Sequence, residues 1–193
     1  MALKVGIIGN GNVGKALARG LSRAGHEVRA VGSDPAAVRE AGAWAGIVIL
    51  AVPYGAIEAA VRELGTTVDG KPLVDATNAL TKDMQLAVGF TTSGAEELQK
   101  KAPKAKVVKA FNTVFAGQMD AGRTEGGQVS AFAAGDDAGA KGAVLQLARD
   151  IGFDAVDAGP LRNARMLEAL GYLNIQLGYV VGMGPKIGFK LVH

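Results

Sequence analysis

A chain of 193 residues suits one domain, or one domain with a small addition, and its 49% hydrophobic and 20% charged residues are typical of a folded globular protein. The absence of cysteine excludes disulfides, thiolate catalysis and cysteine-ligated metal sites. A formal net charge of only +3 and an aromatic fraction of 5% argue against a nucleic-acid partner.

We expect neither a leader peptide nor a membrane-spanning segment. Residues 1–9 enter a strand without the pattern of a cleavable signal peptide. The longest mostly apolar stretch near the end, residues 172–183, is too short to cross a bilayer. We therefore expect a cytoplasmic protein without a membrane partner.

The first part of the chain alternates short apolar strands with helices. Strands are predicted at residues 3–8, 27–31, 47–52, 73–75 and 107–111. Helices are predicted at residues 12–24, 54–64 and 95–101. The first helix has its apolar stripe at Val13, Leu17 and Leu21, and Gly25 ends it.

The second part of the chain continues the alternation. Strands at residues 129–133 and 155–157 bracket a helix at residues 137–151, and a long helical stretch follows at residues 163–181. Strands that alternate with helices indicate a doubly wound α/β fold with a mostly parallel sheet covered on both faces.

The glycines of GNGNVG, residues 9–14, lie between the first strand and the first helix. Gly9 allows a tight turn, Gly11 lets a pyrophosphate approach the backbone, and Gly14 lets the helix pack closely on the strand. The helix N-terminus offers free N–H groups and a partial positive charge to phosphates. In this context the motif predicts a Rossmann-type dinucleotide-binding site. We assign to it the loop residues Asn10, Asn12 and Val13 as well.

The sequence GSDP, residues 32–35, follows the second strand, where such folds recognise the adenosine ribose. Ser33 can bind either a hydroxyl or a phosphate. Asp34 resembles an acid that selects NAD, but Asp34 followed by Pro35 is also a helix start with an aspartate cap, which we favour. These residues alone leave the choice between NAD and NADP open.

Two later segments are expected to reach the same edge of the sheet. Val52, Pro53 and Ile57 follow the third strand in AVPYGAI and are expected to line the coenzyme groove. Asn78 follows the fourth strand in DATN and opens onto the edge where ligands bind in open α/β sheets. Asp75, in the same segment, could be a catalytic acid or an ordinary turn aspartate.

Several motifs together carry a family resemblance. KAFNTV (residues 109–114), DAGPLRNARMLEALG (residues 157–171) and GDD (residues 135–137) join GNGNVGKAL at the front and AVP after the third strand. With these motifs the chain resembles, from end to end, the NADPH-dependent reductases of the deazaflavin coenzyme F420. It is more distantly similar to the cytosolic domain of the transmembrane ferric reductases called STEAP proteins.

The resemblance implies direct hydride exchange between the nicotinamide C4 and the deazaflavin C5, with neither a metal nor a proton-relaying side chain. Catalysis would then consist of holding two stacked rings close together. The scarcity of histidine agrees with this mechanism, because only His26 and His193 are present. We expect His26 to be structural, and His193 is the last residue.

The resemblance also implies a site at the junction of the two halves, with residues 1–110 as the dinucleotide-binding domain and residues 111–193 as a smaller, substrate-facing part on the same sheet. Phe111, Asn112 and Thr113 would line the nicotinamide end of the cleft. The segment Gly159, Pro160 and Leu161 would lie opposite, and Met183 with the tail that follows it would close the pocket. Phe111 and Leu161 could instead belong to the core.

One residue departs from the family pattern. Members commonly carry an arginine for the NADP 2′-phosphate where this chain has Ser33, and losing a hydrogen bond to a charged group costs about 1.5–3 kcal/mol. Arg29 or Arg39 could compensate. The resemblance favours NADP, while the loop itself leaves NAD admissible.

Other functions remain open at this stage. The chain could be an NAD(P)H-dependent flavin or ferric reductase, or a module that senses NAD(P) without turnover. Hydroxyacid dehydrogenases are excluded because they need a large helical domain with a catalytic lysine, whereas this chain keeps alternating strand and helix after Phe111. Lys186 is better explained as a surface cation. The apolar final helix makes a homodimer plausible.

Overall fold

The computed structural model describes residues 2–192 and contains nine strands and six α-helices within them. The strands are β1 (Lys4–Ile8), β2 (Glu27–Val31), β3 (Ile47–Leu50), β4 (Pro72–Asp75), β5 (Lys106–Ala110), β6 (Arg123–Thr124), β7 (Gly127–Gln128), β8 (Ser130–Gly135) and β9 (Asp154–Asp157). The α-helices are α1 (Asn12–Arg23), α2 (Pro35–Trp44), α3 (Ile57–Leu64), α4 (Gly94–Lys101), α5 (Ala138–Ile151) and α6 (Ala164–Ile175).

Seven strands form one sheet in the order β2-β1-β3-β4-β5-β8-β9. The first five are mutually parallel, β8 runs antiparallel to β5, and β9 is parallel to β8. The chain therefore reverses its winding between β1 and β3, the switch point beside which open α/β sheets bind ligands. This topology confirms the predicted Rossmann-type α/β fold.

The core lies on both faces of the sheet because successive strand residues point to opposite sides. Ile7 and Ile49 pack with Leu17 of α1 in one buried cluster that also includes α5. On the other face, Val48 and Leu50 join a second cluster with residues of α2, α3 and α4. Burial on both faces explains why these strands read as continuous apolar runs.

The structure refines several predicted boundaries. The closing helical stretch divides into a 3₁₀ turn (Leu161–Asn163), α6, and one turn of π-helix (Gln176–Val180). The hairpin of β6 and β7 escaped prediction because strands of two residues carry no periodicity. Strands β8 and β9 extend the same sheet as β1 to β5.

Within residues 2–192, no helix combines the length and the hydrophobicity needed to cross a bilayer.

Candidate active site

The phosphate loop takes a conformation that requires glycine at two positions. Gly9 has φ +116°, and its N–H donates to the Val31 carbonyl at 2.8 Å. A Cβ at Gly9 would collide with the Ala51 carbonyl oxygen, and a Cβ at Gly14 would collide with the Gly9 carbonyl oxygen. These close approaches hold α1 directly against the ends of β1 and β3.

Gly11 differs from its two neighbours because space surrounds it. A Cβ built at Gly11 meets no atom within 4 Å. Gly11 also caps α1, and its position supplies no side-chain hydrogen bond to the first turn. The N–H groups of that turn are therefore available to an anion at the mouth of the loop.

A cavity of about 300 Å³ lies beside the loop at the switch point. Its walls are mostly apolar, with Val38, Val52 and Ala60 on the helix side and Ser33 at the end of β2. Of the predicted coenzyme residues, it is lined by Gly9, Asn10, Gly11, Ser33, Val52 and Pro53. A narrow apolar slot of this size beside a phosphate loop suits an adenosine.

Asp34 and Ile57, both predicted as coenzyme residues, line neither this cavity nor its continuation described below. The Asp34 carboxylate accepts a hydrogen bond from the Ala37 N–H at 2.8 Å, as the N-cap of α2 with Pro35 next to it. The favoured cap interpretation is confirmed, and a contact of Asp34 with the coenzyme stays a prediction. Ile57 is buried in the core beneath α3, which removes it from the cavity wall as well.

Each of the two arginines that could replace the missing family arginine has a neighbour of its own in this structure. The Arg29 guanidinium lies 4.2 Å from the centroid of the Trp44 ring. The Arg39 Nη1 atom lies 2.8 Å from the Glu63 Oε2 atom. Because Glu63 lines the adenosine-side cavity, Arg39 stands close to it but is already paired.

A second cavity, of about 280 Å³, continues the first toward the ends of β3 and β4. Gly11, Val52 and Pro53 line both cavities, which therefore form one cleft. Three more predicted coenzyme residues, Asn12, Val13 and Asn78, line this second part, whereas Gly14 lines neither part.

A pair of asparagines closes the cleft between β4 and β5. The Asn112 Nδ2 atom donates to the Asn78 Oδ1 atom at 3.2 Å and to the Leu167 carbonyl at 2.7 Å. In return, the Asn78 Nδ2 atom donates to the Asn112 carbonyl at 3.1 Å. The Asn112 Oδ1 atom and the hydroxyls of Thr77 and Thr113 are buried without a hydrogen-bond partner. Buried polar atoms without partners are rare, and they mark a place where a ligand could bind.

Phe111 does not line the cleft with its ring. The residue has φ +67°, and its side chain is buried in the core with its ring centroid 6.1 Å from that of Phe153. A positive φ at a bulky residue is strained, and such strain clusters at functional sites. The Phe111 ring therefore belongs to the core, and Asn112 and Thr113, which follow it, are buried as well.

The predicted substrate residues Gly159, Pro160 and Leu161 are misplaced by the sequence analysis. Because β8 runs antiparallel to β5, Gly135 at the end of β8 pairs with Val108, toward the start of β5. The Gly135 N–H donates to the Gly159 carbonyl at 3.1 Å. The segment therefore lies at the edge of the sheet opposite the phosphate loop, and Leu161 is buried in the core. The expectation that it faces Phe111–Thr113 is wrong.

Met183 is exposed in the segment after α6, and its N–H donates to the Leu177 carbonyl at 3.1 Å. Pro185 and Lys186, which follow it, line a groove together with Asn12 at the start of α1. The tail thus reaches the edge of the sheet that carries the phosphate loop, while a contact of Met183 with a ligand stays a prediction.

A buried charged cluster, formed by Lys109, Asp75 and Glu168, supports the cleft from below. The Lys109 Nζ atom lies 3.0 Å from Asp75 Oδ2 and 3.0 Å from Glu168 Oε1, and it donates to the Thr77 carbonyl at 2.7 Å. Burial by itself lowers the pKa of Lys109, but the two carboxylates outweigh it and hold that pKa above its ordinary value. Asp75 is therefore an ion-pair partner rather than a free acid.

Helix α4 and the cleft wall are tied to the same cluster. The Glu168 carboxylate accepts from the N–H groups of Gly94 at 2.9 Å and Ala95 at 3.2 Å, at the N-terminus of α4. Burial raises the pKa of the Tyr54 hydroxyl, and the nearby carboxylates, Glu168 foremost, raise it further. Tyr54 lines the cleft, so it presents a protonated hydroxyl there at neutral pH.

The sequence analysis missed Lys109 and Glu168, although a signal for Lys109 was present. A lysine inside the apolar run VVKAF must be buried if that run is a central strand, and a buried lysine needs a charged partner. Nothing in the pattern of α6 distinguishes Glu168 from a surface glutamate.

His26 has the structural role that was expected. Its Nδ1 atom accepts from the Leu3 N–H at 3.2 Å, and its Nε2 atom lies 3.1 Å from Asp150 Oδ2. His193 lies outside the described residues. Among residues 2–192, no three His, Asp or Glu side chains are grouped so that they could hold a metal ion.

Comparisons with known proteins agree with this geometry. A sequence profile described as NADP oxidoreductase, coenzyme F420-dependent, matches residues 4–79. The crystal structure of a putative F420-dependent NADP reductase from Arthrobacter sp. FB24 superposes with a TM-score of 0.90 at 31% identity, covering 100% of both chains. A hypothetical protein from Sinorhizobium meliloti gives a TM-score of 0.70 at 31% identity, over 83% of this chain and 86% of that one.

Among curated proteins, the metalloreductase STEAP3 of Rattus norvegicus is 32% identical over 183 residues, which cover 88% of this chain and 36% of the relative. The chain thus spans about a third of the length of this relative. The Arthrobacter structure agrees over the full length of the chain, and the profile match covers the phosphate loop and the first four strands. The chain therefore belongs to the coenzyme F420-dependent NADP oxidoreductase family, whose members are NAD(P)H-dependent oxidoreductases.

Proposed function

We propose that the protein exchanges hydride between NADP(H) and the deazaflavin coenzyme F420. One observation carries the proposal: a cleft leads from the phosphate loop to the ends of β3 and β4, where it is lined by Asn78 and by Thr77, whose buried hydroxyl has no hydrogen-bond partner. Membership of the family supplies the chemistry, and the cleft supplies a place for a dinucleotide along it.

The residues present fit such a coenzyme at both ends of the cleft. The open space at Gly11 and the uncapped first turn of α1 suit a pyrophosphate. At the other end, the Thr77 hydroxyl lines the cleft and can donate or accept a hydrogen bond, and Asn78, which also lines it, is hydrogen-bonded to the buried Asn112. A carboxamide such as that of nicotinamide offers the complementary donors and acceptor.

With both coenzymes bound, hydride would pass from the nicotinamide C4 to the deazaflavin C5, and a proton from water would complete the reduction of the acceptor. The protein's own part is to bind and to orient. The mutual hydrogen bonds of Asn78 and Asn112 fix both amides, and the Lys109 cluster fixes the strand ends beneath them. Ring alignment by rigid neighbours is the main contribution that a hydride transfer asks of a protein.

The roles that follow are part of the proposal. Coenzyme binding is assigned to Gly9, Asn10, Gly11, Asn12, Val13, Gly14, Ser33, Val52, Pro53 and Asn78, and the nicotinamide–acceptor junction to Asn112 and Thr113. In this scheme residues 1–110 bind the coenzyme and residues 111–193 face the acceptor. A cytoplasmic location and a homodimer stay predictions.

The proposal is tested by mixing purified protein with NADPH and F420 and following nicotinamide absorbance. We expect oxidation of NADPH to require F420, and Gly11→Val to abolish it, because the new side chain would occupy the space for the pyrophosphate. Tight binding of NADPH without oxidation by F420 or any other acceptor would refute the proposal and favour a module that senses NAD(P) without turnover.

A second candidate function is supported by the similarity to STEAP3, which is described as a metalloreductase. Reduction of a flavin or of a ferric chelate would use the same coenzyme cleft with a different acceptor. The same assay separates the candidates when FMN and ferric citrate replace F420, since turnover with these acceptors but not with F420 would select the alternative.

A further inference from the structure

A groove of about 530 Å³ lies beside the coenzyme cleft, between the start of α1, residues 115–118 after β5, and the tail after α6. Asn12 lines both this groove and the part of the cleft near Asn78. The groove therefore opens next to the expected nicotinamide end of the cleft, from the side of α1 rather than from the side of the adenosine.

The charges on the groove have one sign. Three cations line it, Lys15 and Arg19 from α1 and Lys186 from the tail, and no aspartate or glutamate does. The adenosine-side cavity differs, because it includes Glu63. Arg19 and Lys186 have carboxylate neighbours outside the groove wall, with Arg19 Nε 3.2 Å from Asp120 Oδ2 and Lys186 Nζ 3.4 Å from Glu125 Oε1.

Independently of the charges, a buried amide lacks a partner on the groove wall. Gln118 is 4% exposed, and its Nε2 atom donates to the Pro185 carbonyl at 2.9 Å. The Gln118 Oε1 atom has no hydrogen-bond partner. An unpaired buried carbonyl is unfavourable, and a ligand that brings an N–H or O–H donor would satisfy it.

Aromatic rings form the remaining wall. Phe115 and Tyr179 meet edge to face with their centroids 5.3 Å apart, and Tyr179 is 63% exposed. Exposed aromatic surface beside cations and an amide acceptor suits a planar ring with hydrogen-bonding groups and an anionic substituent.

From these features we propose that the groove binds the anionic side chain of the electron acceptor, with Lys15, Arg19 and Lys186 attracting a phosphate or carboxylate and Gln118 accepting a donor from the ligand. The inference rests on the proposed function, because it places the second substrate of that reaction. It predicts that the protein selects acceptors by charge as well as by ring structure. Both FMN and F420 carry such an anion, whereas riboflavin and the tailless deazaflavin chromophore do not.

The test compares the members of these two pairs by fluorescence titration in the presence of NADP⁺, so that binding is measured apart from turnover. We expect FMN and F420 to bind more tightly than their uncharged counterparts. Lys186→Met should weaken binding of the charged members about three- to fivefold, and Lys15→Met combined with it about tenfold or more, with less than a twofold change for the uncharged members. The difference should also shrink as salt is added.

Lys104→Met is a matched control. Its Nζ atom lies 3.4 Å from Asp69 Oδ2, and it is exposed to nearly the same degree as Lys186, 76% against 81%, yet it does not line the groove. Equal losses in the control and in Lys186→Met would overturn the inference, as would binding of neither pair. A weakened affinity of Lys186→Met for NADPH itself would also overturn it, by assigning the groove to the coenzyme.

Failure of the groove and failure of the proposed function give different results. If F420 oxidises NADPH normally but binding shows no preference for the charged acceptors, the role of the groove is refuted and the proposed reaction stands. If the charged acceptors bind preferentially but NADPH is not oxidised, the proposed reaction is refuted and the role of the groove stands.

Discussion

Replacing Lys109 by methionine would leave two buried carboxylates without their shared cation. Lys109 and Asp75 are fully buried, and Glu168 is nearly so. Removing one partner from a buried ion pair typically costs about 3–5 kcal/mol, because the remaining charge stays desolvated. A protein of this length loses about 2–4 °C of Tm per kcal/mol, so we expect the Tm of Lys109→Met to fall by roughly 6–20 °C.

The measurement is thermal and urea unfolding of both proteins at neutral pH without coenzyme. Lys106→Met serves as the control, because Lys106 lies on the same strand but is paired with Asp137 at the surface, where an ion pair is worth about 1 kcal/mol or less. Adding Asp75→Asn and Glu168→Gln to Lys109→Met should recover part of the loss, since it removes the unpaired charges.

The reasoning would be refuted if Lys109→Met were no less stable than Lys106→Met. It would also be refuted if the triple variant were less stable than Lys109→Met alone, because the cost would then arise from lost packing rather than from uncompensated charge.

Three further outcomes are expected. Because the pKa of Lys109 is raised in the folded protein, its contribution to stability is complete below the ordinary lysine pKa of about 10.5 and is lost as pH rises through the folded pKa. The difference in urea midpoint between wild type and Lys109→Met should therefore narrow only at strongly alkaline pH. Ser33→Arg should strengthen NADPH binding relative to NADH by about tenfold or more, and an unchanged ratio of dissociation constants would contradict this. Gly11→Val should keep the wild-type Tm but lose coenzyme affinity, whereas Gly14→Val should lower the Tm itself, because only at Gly14 does a Cβ collide with backbone.

The sequence predicts most of the sheet because each central strand is an apolar run bounded by glycine or by a helix start. The phosphate loop could be predicted from the spacing of three glycines. Gly9, Gly11 and Gly14 lie in the predicted strand–loop–helix context, and the surroundings of each differ. The Asp34 cap was also predictable, because an aspartate before a proline satisfies the first turn of a helix by local contacts alone.

The remaining site depends on contacts that no local pattern encodes. Lys109 and Glu168 are 59 residues apart in the chain, and only the packing of α6 across the sheet brings them together. The predicted position of Gly159–Leu161 was wrong because the sequence does not show the direction of a strand. Since β8 is antiparallel to β5, the end of β9 lies at the edge of the sheet opposite the phosphate loop. The prediction that Phe111 lines the cleft was wrong because no local pattern shows that its φ is positive and that its ring packs in the core.

The antiparallel direction of β8 also determines the path that the chain takes between the two edges of the sheet. After β9 the chain stands at the far edge and must return, and the twelve residues of α6 cross about 18 Å to do so. Asn174 near its end donates to the Thr113 carbonyl, and the segment beyond carries Tyr179 and Lys186. A substitution that displaces the start of this helix is therefore expected to displace also the segment with Tyr179 and Lys186, although the two lie at opposite edges of the sheet.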